Sequence, residues 1–532
     1  MTTDYVNNYV YDPDSPLFLI DFYKFGHIDQ YPKGLKRIWV NFTPRSTRIE
    51  GEKGVIFFGL QRFIKKVLLD QFNENFFERP WFQVEQDYKL VMKKTLGVDA
   101  HTDHIKQLWD YGKLPLDIYA LPEGTYVPLG VPAMVIVNNQ DWAFWLPNYI
   151  ETMCSNNLWH ACTSASTAHR YRKLFLKHAR AAGETDFSFV DWQGHDFSYR
   201  GLSGDESAKM SGMGHLLSFS GTDTLPAILD ANKYYDADLS VGGSVPATEH
   251  SVMCAGSKES EQETFRHLIE DVYKTGVVSI VSDTWNLWDV LTKIVPALKD
   301  KILARQPAGF VPAKVVIRPD SGDPVKILTG DDSARVFLED GTENPVFQGA
   351  LNLLAQALGT DKVRCRHINK GGLIYGDSIT VERADQILAR TIAQGFSPYN
   401  HVFGIGSYTY QYVTRDTYNF AFKATAIERL VEVTGYDENI GTVRWMEPKV
   451  EAIFKDPITD NAHKKSHRGI PVAVFNPEAD GALQVFETTD PRLLDGHECD
   501  TAFRKVFNGR LLVDDTFETI RQRVRTRDWE RA

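Results

Sequence analysis

Val277-Val-Ser-Ile-Val-Ser-Asp-Thr-Trp-Asn-Leu-Trp288 is the stretch on which the fold turns. A run of β-branched residues stops at Ser282-Asp283-Thr284, and a helical pattern follows from Trp285 to about Lys301. That is one strand–turn–helix unit, and the rhythm recurs on both sides. Further strands are expected at 187–191, 215–219, 315–317, 373–375 and 401–403, with helices at 225–235 and 381–394. Strands alternating with helices of this length signal parallel βαβ units, hence an α/β barrel or a doubly wound sheet.

The flanks read differently. The first 160 residues mix helical stretches (57–77 and 103–111) with a strand-like run at 131–137. Beyond Thr414 strands return, at 420–425, 430–433, 471–475 and 483–486. The expected organisation is therefore two domains. Residues 166–414 form the barrel, and 1–165 with 415–532 form one β-rich domain from both chain ends.

Composition removes several function classes. The 532 residues are 43% hydrophobic, which excludes a disordered or collagen-like chain. With 59 Lys+Arg against 70 Asp+Glu, the formal charge is −11. So acidic a chain lacks the basic footprint of sequence-independent nucleic-acid binding, and no nucleic-acid partner is expected. Any anionic substrate must meet local cations or backbone N–H groups. Cys154, Cys162, Cys254, Cys365 and Cys499 are odd in number and form no C-x-x-C pair, which reads as reduced thiols in a cytoplasmic protein. No secretory pattern opens the chain and no window nears 18 apolar residues, so a soluble protein without membrane contact is expected. There is no G-x-x-x-x-G-K-[ST] phosphate loop.

In parallel α/β folds the active site lies beyond the C-terminal strand ends. The residues that follow the expected strands are rich in chemistry. They include His195-Asp-Phe-Ser-Tyr-Arg-Gly201, Gly221-Thr-Asp-Thr224, Ser282-Asp283, Arg318-Pro-Asp-Ser-Gly322, Gly376-Asp377 and Gly404-Ile-Gly-Ser407. Small turns before helices offer N–H groups to phosphate, and arginine offers a bidentate fork. Carboxylates hold ribose hydroxyls or Mg²⁺. A sugar-phosphate or nucleotide site is the natural fit.

These motifs, with Asp21-Phe-Tyr-Lys-Phe-Gly-His27, Phe58-Gly-Leu60, Pro122-Glu-Gly124, Ser244-Val-Pro-Ala-Thr-Glu-His250 and Phe454-Lys-Asp-Pro457, resemble the nicotinamide phosphoribosyltransferase family. The likeness runs over roughly residues 15 to 510. It implies the irregular (β/α) barrel of the type II phosphoribosyltransferases and a homodimer with active sites at the subunit interface. It also implies synthesis of nicotinamide mononucleotide from nicotinamide and phosphoribosyl pyrophosphate. By that resemblance Phe197 and the partner's Tyr23 sandwich nicotinamide, Arg200 lies beside the ring, and Asp223 accepts from the carboxamide. Arg318 takes phosphate, Asp320 the ribose hydroxyls, and Asp283 the ribose or the diphosphate end. Gly376, Asp377, Gly406, Ser407 and Arg415 wrap the 5′-phosphate, while Arg45, Lys423 and Lys464, from the partner subunit, meet the diphosphate or a nucleotide phosphate.

The implied chemistry needs Mg²⁺, carried through the substrate diphosphate, and ATP as co-substrate. His250 is the residue the family phosphorylates, with Glu249 or Asp283 to orient it. Two neighbouring activities share this pattern: transfer to nicotinate, and use of ADP-ribose pyrophosphate as donor to make NAD directly. A protein that kept the fold without catalysis is a third reading, against which the intact His250, Asp283, Arg318 and Asp320 speak.

Overall fold

The computed structural model describes residues 11–339, 341–361, 365–458, 466–476, 482–497 and 500–530. Among them two compact units form. One is drawn from 1–163, 234–236 and 414–520, the other from 164–233, 237–413 and 521–532.

The second unit carries the alternating pattern. Its strands are β1 (Gly194–Asp196), β2 (Gly221–Thr222), β3 (Val277–Val281), β4 (Lys314–Arg318), β5 (Gly371–Tyr375) and β6 (His401–Ile405). They lie in the order β2-β1-β6-β5-β4-β3, every neighbouring pair parallel. The segment 243–247 joins the two outer strands. Gly243 pairs in parallel with Gly221, and Ala247 with Ser279. Thr222 N–H donates to the Gly243 carbonyl and Ser279 N–H to the Pro246 carbonyl, each at 2.9 Å. Pro246 has no N–H to give, so this stave holds by scattered bridges rather than a full ladder. The sheet thus closes into an irregular barrel, and the doubly wound alternative falls. Val278, Ile280, Val315, Ile317 and Leu373 are buried under helices that include Pro345–Leu358 and Val381–Ala393.

Two expected strands are misplaced. Residues 187–191 form a turn that enters the one-turn helix Val190–Gln193, and 215–219 lie at and beyond the end of helix Asp205–Leu216. The strands are the shorter Gly194–Asp196 and Gly221–Thr222. A Cβ on Gly194 would meet the Phe219 ring at 2.9 Å, and one on Gly221 would meet His195 Nδ1 at 2.7 Å. Glycine stands there because side chains lie flat on the strand backbone, and periodicity cannot show that demand. The helix expected at 285–301 is also broken. Leu287–Asp289 passes through a π-helical turn, Val290–Ile294, before Val295–Ala297 and Lys299–Ala304.

The first unit is built on an antiparallel six-stranded sheet. Its order is Gly441–Ala452, Phe420–Asp437, Leu35–Pro44, Met134–Asn138, Leu116–Ala120 and Arg504–Asn508, so both chain ends share one sheet. Phe42 stacks on Phe420 at 5.0 Å between ring centroids across the central pair. The strands expected at 420–425 and 430–433 are one 18-residue strand, and its hairpin partner Gly441–Ala452 was not anticipated. That partner is largely exposed, so it lacks the apolar alternation that marks half-buried strands. Glu123 anchors a further helix of this unit. Its carboxylate is buried and accepts from the backbone N–H groups of Gly59, Leu60 and Gln61, where the helix from Leu60 begins.

Candidate active site

The barrel's C-terminal rim gathers twelve of the expected residues, and each arrives by the same local logic. A short strand ends, the chain turns, and the turn exposes a polar or aromatic side chain. β1 delivers Phe197, whose N–H donates to the Ile405 carbonyl at 3.1 Å. Asp196 stabilises that exit: its Oδ1 accepts from Ser198 N at 2.9 Å and from Ser198 Oγ at 2.6 Å. One edge of the Phe197 ring rests on bare backbone. A Cβ on Gly404 would lie 2.4 Å from Phe197 Cδ2, and one on Gly376 would lie 3.3 Å from it. The Arg318 guanidinium lies over the same ring at 5.1 Å from its centroid.

β2 delivers Asp223. Its Oδ1 accepts from His195 Nε2 at 3.1 Å and from the Ser244 hydroxyl. Burial opposes its ionisation, but the bonds from His195 and Ser244 and the charge of Arg318 outweigh that, holding the carboxyl below the usual aspartate range. The site therefore presents a carboxylate within reach of an aromatic platform. His195 lies between the two, its ring 4.8 Å from that of Phe197.

β3 and β4 meet through Asp283. One carboxylate oxygen, Oδ1, lies 3.3 Å from His250 Nε2. The other accepts from Asp320 N at 3.0 Å and Ser321 Oγ at 2.6 Å. A single nearly buried side chain thus orients the histidine and shapes the turn bearing Asp320. Glu249 takes no part in holding His250: its carboxylate receives the Ser251 hydroxyl instead. Arg318 Nη2 lies 3.6 Å from Asp320 Oδ1.

β5 and β6 supply the small turns. Tyr375 donates to the Gly322 carbonyl at 2.9 Å. Burial first, then the charges of Asp377, Asp283, Asp320 and Asp323, push its phenol up. Four carboxylates thus lie near enough to this phenol to act on it by charge. They are hard oxygen donors, the type Mg²⁺ prefers. Among the described residues they do not converge into a group of three ligand atoms. Ser407 Oγ packs on the Cα of Gly201, where an added Cβ would collide with it. Arg200 is exposed, with no partner among the described residues.

The remaining candidates belong to the first unit. Arg45 donates through Nη2 to Asn419 Oδ1 at 2.7 Å. Lys423 is exposed, yet its ammonium is held below the ordinary lysine range, by crowding against protein and then by Arg45, Arg415 and Lys455, with Glu151 opposing. These four cations form one basic patch. Tyr23 stands 64% exposed and close enough to Glu151 to feel its charge. Lys464 lies outside the described residues. Sequence reasoning gave no role to His195, Ser244, Ser321 or Lys455. No signal marked His195, because the strand that carries it, Gly194–Asp196, was expected earlier, at 187–191.

Comparison with known proteins places the chain in a family. The nicotinate phosphoribosyltransferase (NAPRTase) family matches residues 192–439. The nicotinamide phosphoribosyltransferase N-terminal domain matches residues 15–118. The chain is 44% identical over 520 residues to the nicotinamide phosphoribosyltransferase of Acinetobacter baylyi, spanning 96% of this chain and 97% of that one. It is 29% identical over 518 residues to that of Xanthomonas campestris, with 96% and 97% covered. Among solved structures it is similar to nicotinate-nucleotide pyrophosphorylase from Pyrococcus furiosus, with a TM-score of 0.52 over 99% of each chain at 12% identity, a likeness of fold.

Proposed function

The chain belongs to the nicotinamide phosphoribosyltransferase family, and on that premise we propose that it transfers the phosphoribosyl group of phosphoribosyl pyrophosphate to nicotinamide, giving nicotinamide mononucleotide and diphosphate in NAD salvage. The observation that carries the choice of base is Asp223, an ionised carboxylate beside the Phe197 platform. It accepts from a carboxamide NH₂ and repels a carboxylate, which favours nicotinamide over nicotinate.

The chain's own groups are suited to each part of the reaction. Phe197 stacks a flat pyridine that becomes cationic on transfer, so a cation–π term grows along the reaction. The pyridine nitrogen has its own lone pair and needs no general base. Positive charge develops at ribose C1 as the diphosphate leaves, and Asp283 and Asp320 stand on the rim to oppose it. Arg318 takes phosphate, and the turns at Gly376-Asp377 and Gly406-Ser407 hold the 5′-phosphate by backbone N–H groups. Mg²⁺, when bound through the diphosphate near Asp320 and Asp377, neutralises the leaving group. Tyr23 and the Arg45, Arg415 and Lys423 patch complete the site from a second subunit of a homodimer, and Tyr23's exposure supports that reading. His250, oriented by Asp283, is the nucleophile toward ATP, and hydrolysis of the phosphohistidine drives synthesis.

The test is a product assay by mass spectrometry. Nicotinamide and nicotinate are offered with phosphoribosyl pyrophosphate, and nicotinamide with ADP-ribose pyrophosphate. Nicotinamide mononucleotide is the expected main product. In Asp223→Asn the nicotinamide preference should fall about tenfold or more, roughly 1.4 kcal/mol of discrimination. A wild-type preference for nicotinate overturns the Asp223 argument, and NAD as the main product replaces the donor.

A further inference from the structure

At the opposite end of the barrel, before the strands begin, three side chains of different chemistry meet. Glu184 follows the long helix Glu151–Ala182, and Cys365 and His367 precede β5. Glu184 Oε1 lies 2.6 Å from His367 Nε2 and 3.1 Å from Cys365 Sγ. One carboxylate oxygen, one imidazole nitrogen and one sulfur all fall within 4.8 Å of each other. Among the described residues this is the one group of three such donors so convergent.

The backbone prepares the arrangement. Arg366 pairs in parallel with Phe396, its N–H donating to the Gly395 carbonyl and its carbonyl accepting from Ser397 N, each at 3.1 Å. Cys365 stands just before this paired segment with a left-handed backbone, φ 54°. Its thiol and the His367 ring both reach Glu184, while Arg366 lies over the Phe396 ring at 3.8 Å. Asn400 pins the next residue, accepting from Ile368 N at 2.9 Å. The His367 ring is clamped in orientation by stacking on Tyr399, 4.6 Å between centroids at 20°. Asp361 Oδ2 stands 3.8 Å from His367 Nδ1, on the side away from Glu184. From there its charge favours the tautomer with the proton on Nδ1, the one a ligating Nε2 needs.

We propose that Glu184, Cys365 and His367 form a site for a borderline-soft divalent cation of the Zn²⁺ class, separate from the substrate rim. Thiolate, imidazole and carboxylate together suit zinc and not Mg²⁺ or Ca²⁺, which take oxygen ligands. Metal–ligand bonds of about 2.0–2.3 Å separate neighbouring tetrahedral ligands by roughly 3.3–3.7 Å. The two Glu184 contacts need only lengthen by less than about an ångström from their present hydrogen-bonded spacing to reach that range. On binding, Cys365 loses its thiol proton to solvent, His367 offers the Nε2 lone pair with its proton on Nδ1 toward Asp361, and Glu184 gives one oxygen. A water or the Ser397 hydroxyl, which already bonds Glu184 Oε1, completes four ligands. The ion ties the end of a long helix to the roots of β5 and β6, which are neighbours in the barrel.

The experiment uses the full chain, stripped by chelator and then titrated with Zn²⁺ alone or with Co²⁺ as a spectroscopic probe. One ion per chain is expected, with a thiolate-to-cobalt charge-transfer band and a melting temperature that rises with Zn²⁺. Cys365→Ser should abolish the band and His367→Gln should weaken Zn²⁺ binding at least tenfold. Cys254→Ser, which alters an exposed cysteine elsewhere, should keep both. Phosphoribosyl transfer in Cys365→Ser should stay at the wild-type rate, and circular dichroism should show it folded. No stoichiometric ion in the wild type, or a band that survives Cys365→Ser, overturns the site.

Discussion

His250 shows how much one side chain depends on its neighbours. Imidazole attacks well only when its second nitrogen or its ring plane is held by another group, and two acidic residues were equally plausible holders by position. Glu249 is adjacent in sequence but accepts from the Ser251 hydroxyl, whereas Asp283, 33 positions away, reaches Nε2 at 3.3 Å. Because the other Asp283 oxygen holds Asp320 N and Ser321 Oγ, the histidine and the turn bearing Asp320 are mechanically linked. His250→Ala is expected to abolish ATP hydrolysis while leaving weak, ATP-independent synthesis, read by parallel phosphate-release and product assays. ATP coupling unchanged in that variant removes the phosphohistidine role. The identities of His250, Asp283 and Asp320 were legible in the sequence. The division of labour between Asp283 and Glu249 was not, since side-chain reach depends on where two loops pass.

At the scale of elements, one glycine just after β5 and one within β6 do what a periodicity count cannot see. The edge of Phe197 is seated on the backbone of Gly376 and Gly404, and the ring takes its place from the absence of side chains beneath it. Gly404→Ala puts a methyl group 2.4 Å from Phe197 Cδ2 and 2.7 Å from Gly376 Cα. The expected result is a nicotinamide KM raised about tenfold or more, with stability lowered by about 1–3 kcal/mol from overpacking. Steady-state kinetics and a thermal melt check both, and an unchanged KM would mean that the ring is not the platform. Strands with β-branched runs, such as Val277–Val281, stood out in the sequence at their observed limits. Strands of two or three residues held by glycine contacts did not, because their stability comes from what packs on them.

For the whole molecule, both compact units are discontinuous in sequence, and the last helix shows why the chain's end matters. Arg521 is buried within the barrel unit and donates to the Phe219 carbonyl at 2.8 Å, Ser220 Oγ at 2.7 Å and the Val241 carbonyl at 3.2 Å. These acceptors flank β2 and the closing stave, so a residue near the C-terminus braces the barrel where its sheet is least regular. Arg521→Ala should cost about 2–4 kcal/mol, since it strands buried carbonyls. That corresponds to a drop in melting temperature of several degrees by calorimetry. A melting temperature within a degree of wild type would show that the brace contributes nothing. The net charge of −11 also takes on structure at this scale. Arg318 lies beside Asp320, and the basic patch around Lys423 is local, so placed cations stand inside an acidic chain.

What the amino-acid order determined alone was whatever depends on near neighbours. That includes the βα alternation that makes a parallel barrel, the strand-rich flanks, and the motifs whose residue types suit phosphate, ribose and a flat base. Local steric and hydrophobic preferences act over a few residues, so they survive without a fold. What only the tertiary structure decided was whatever joins distant residues. The barrel closes through 243–247, Asp283 rather than Glu249 holds His250, and Glu184 meets Cys365 across 181 positions of chain. Such meetings follow from the path of the whole backbone, fixed by packing that no short window contains.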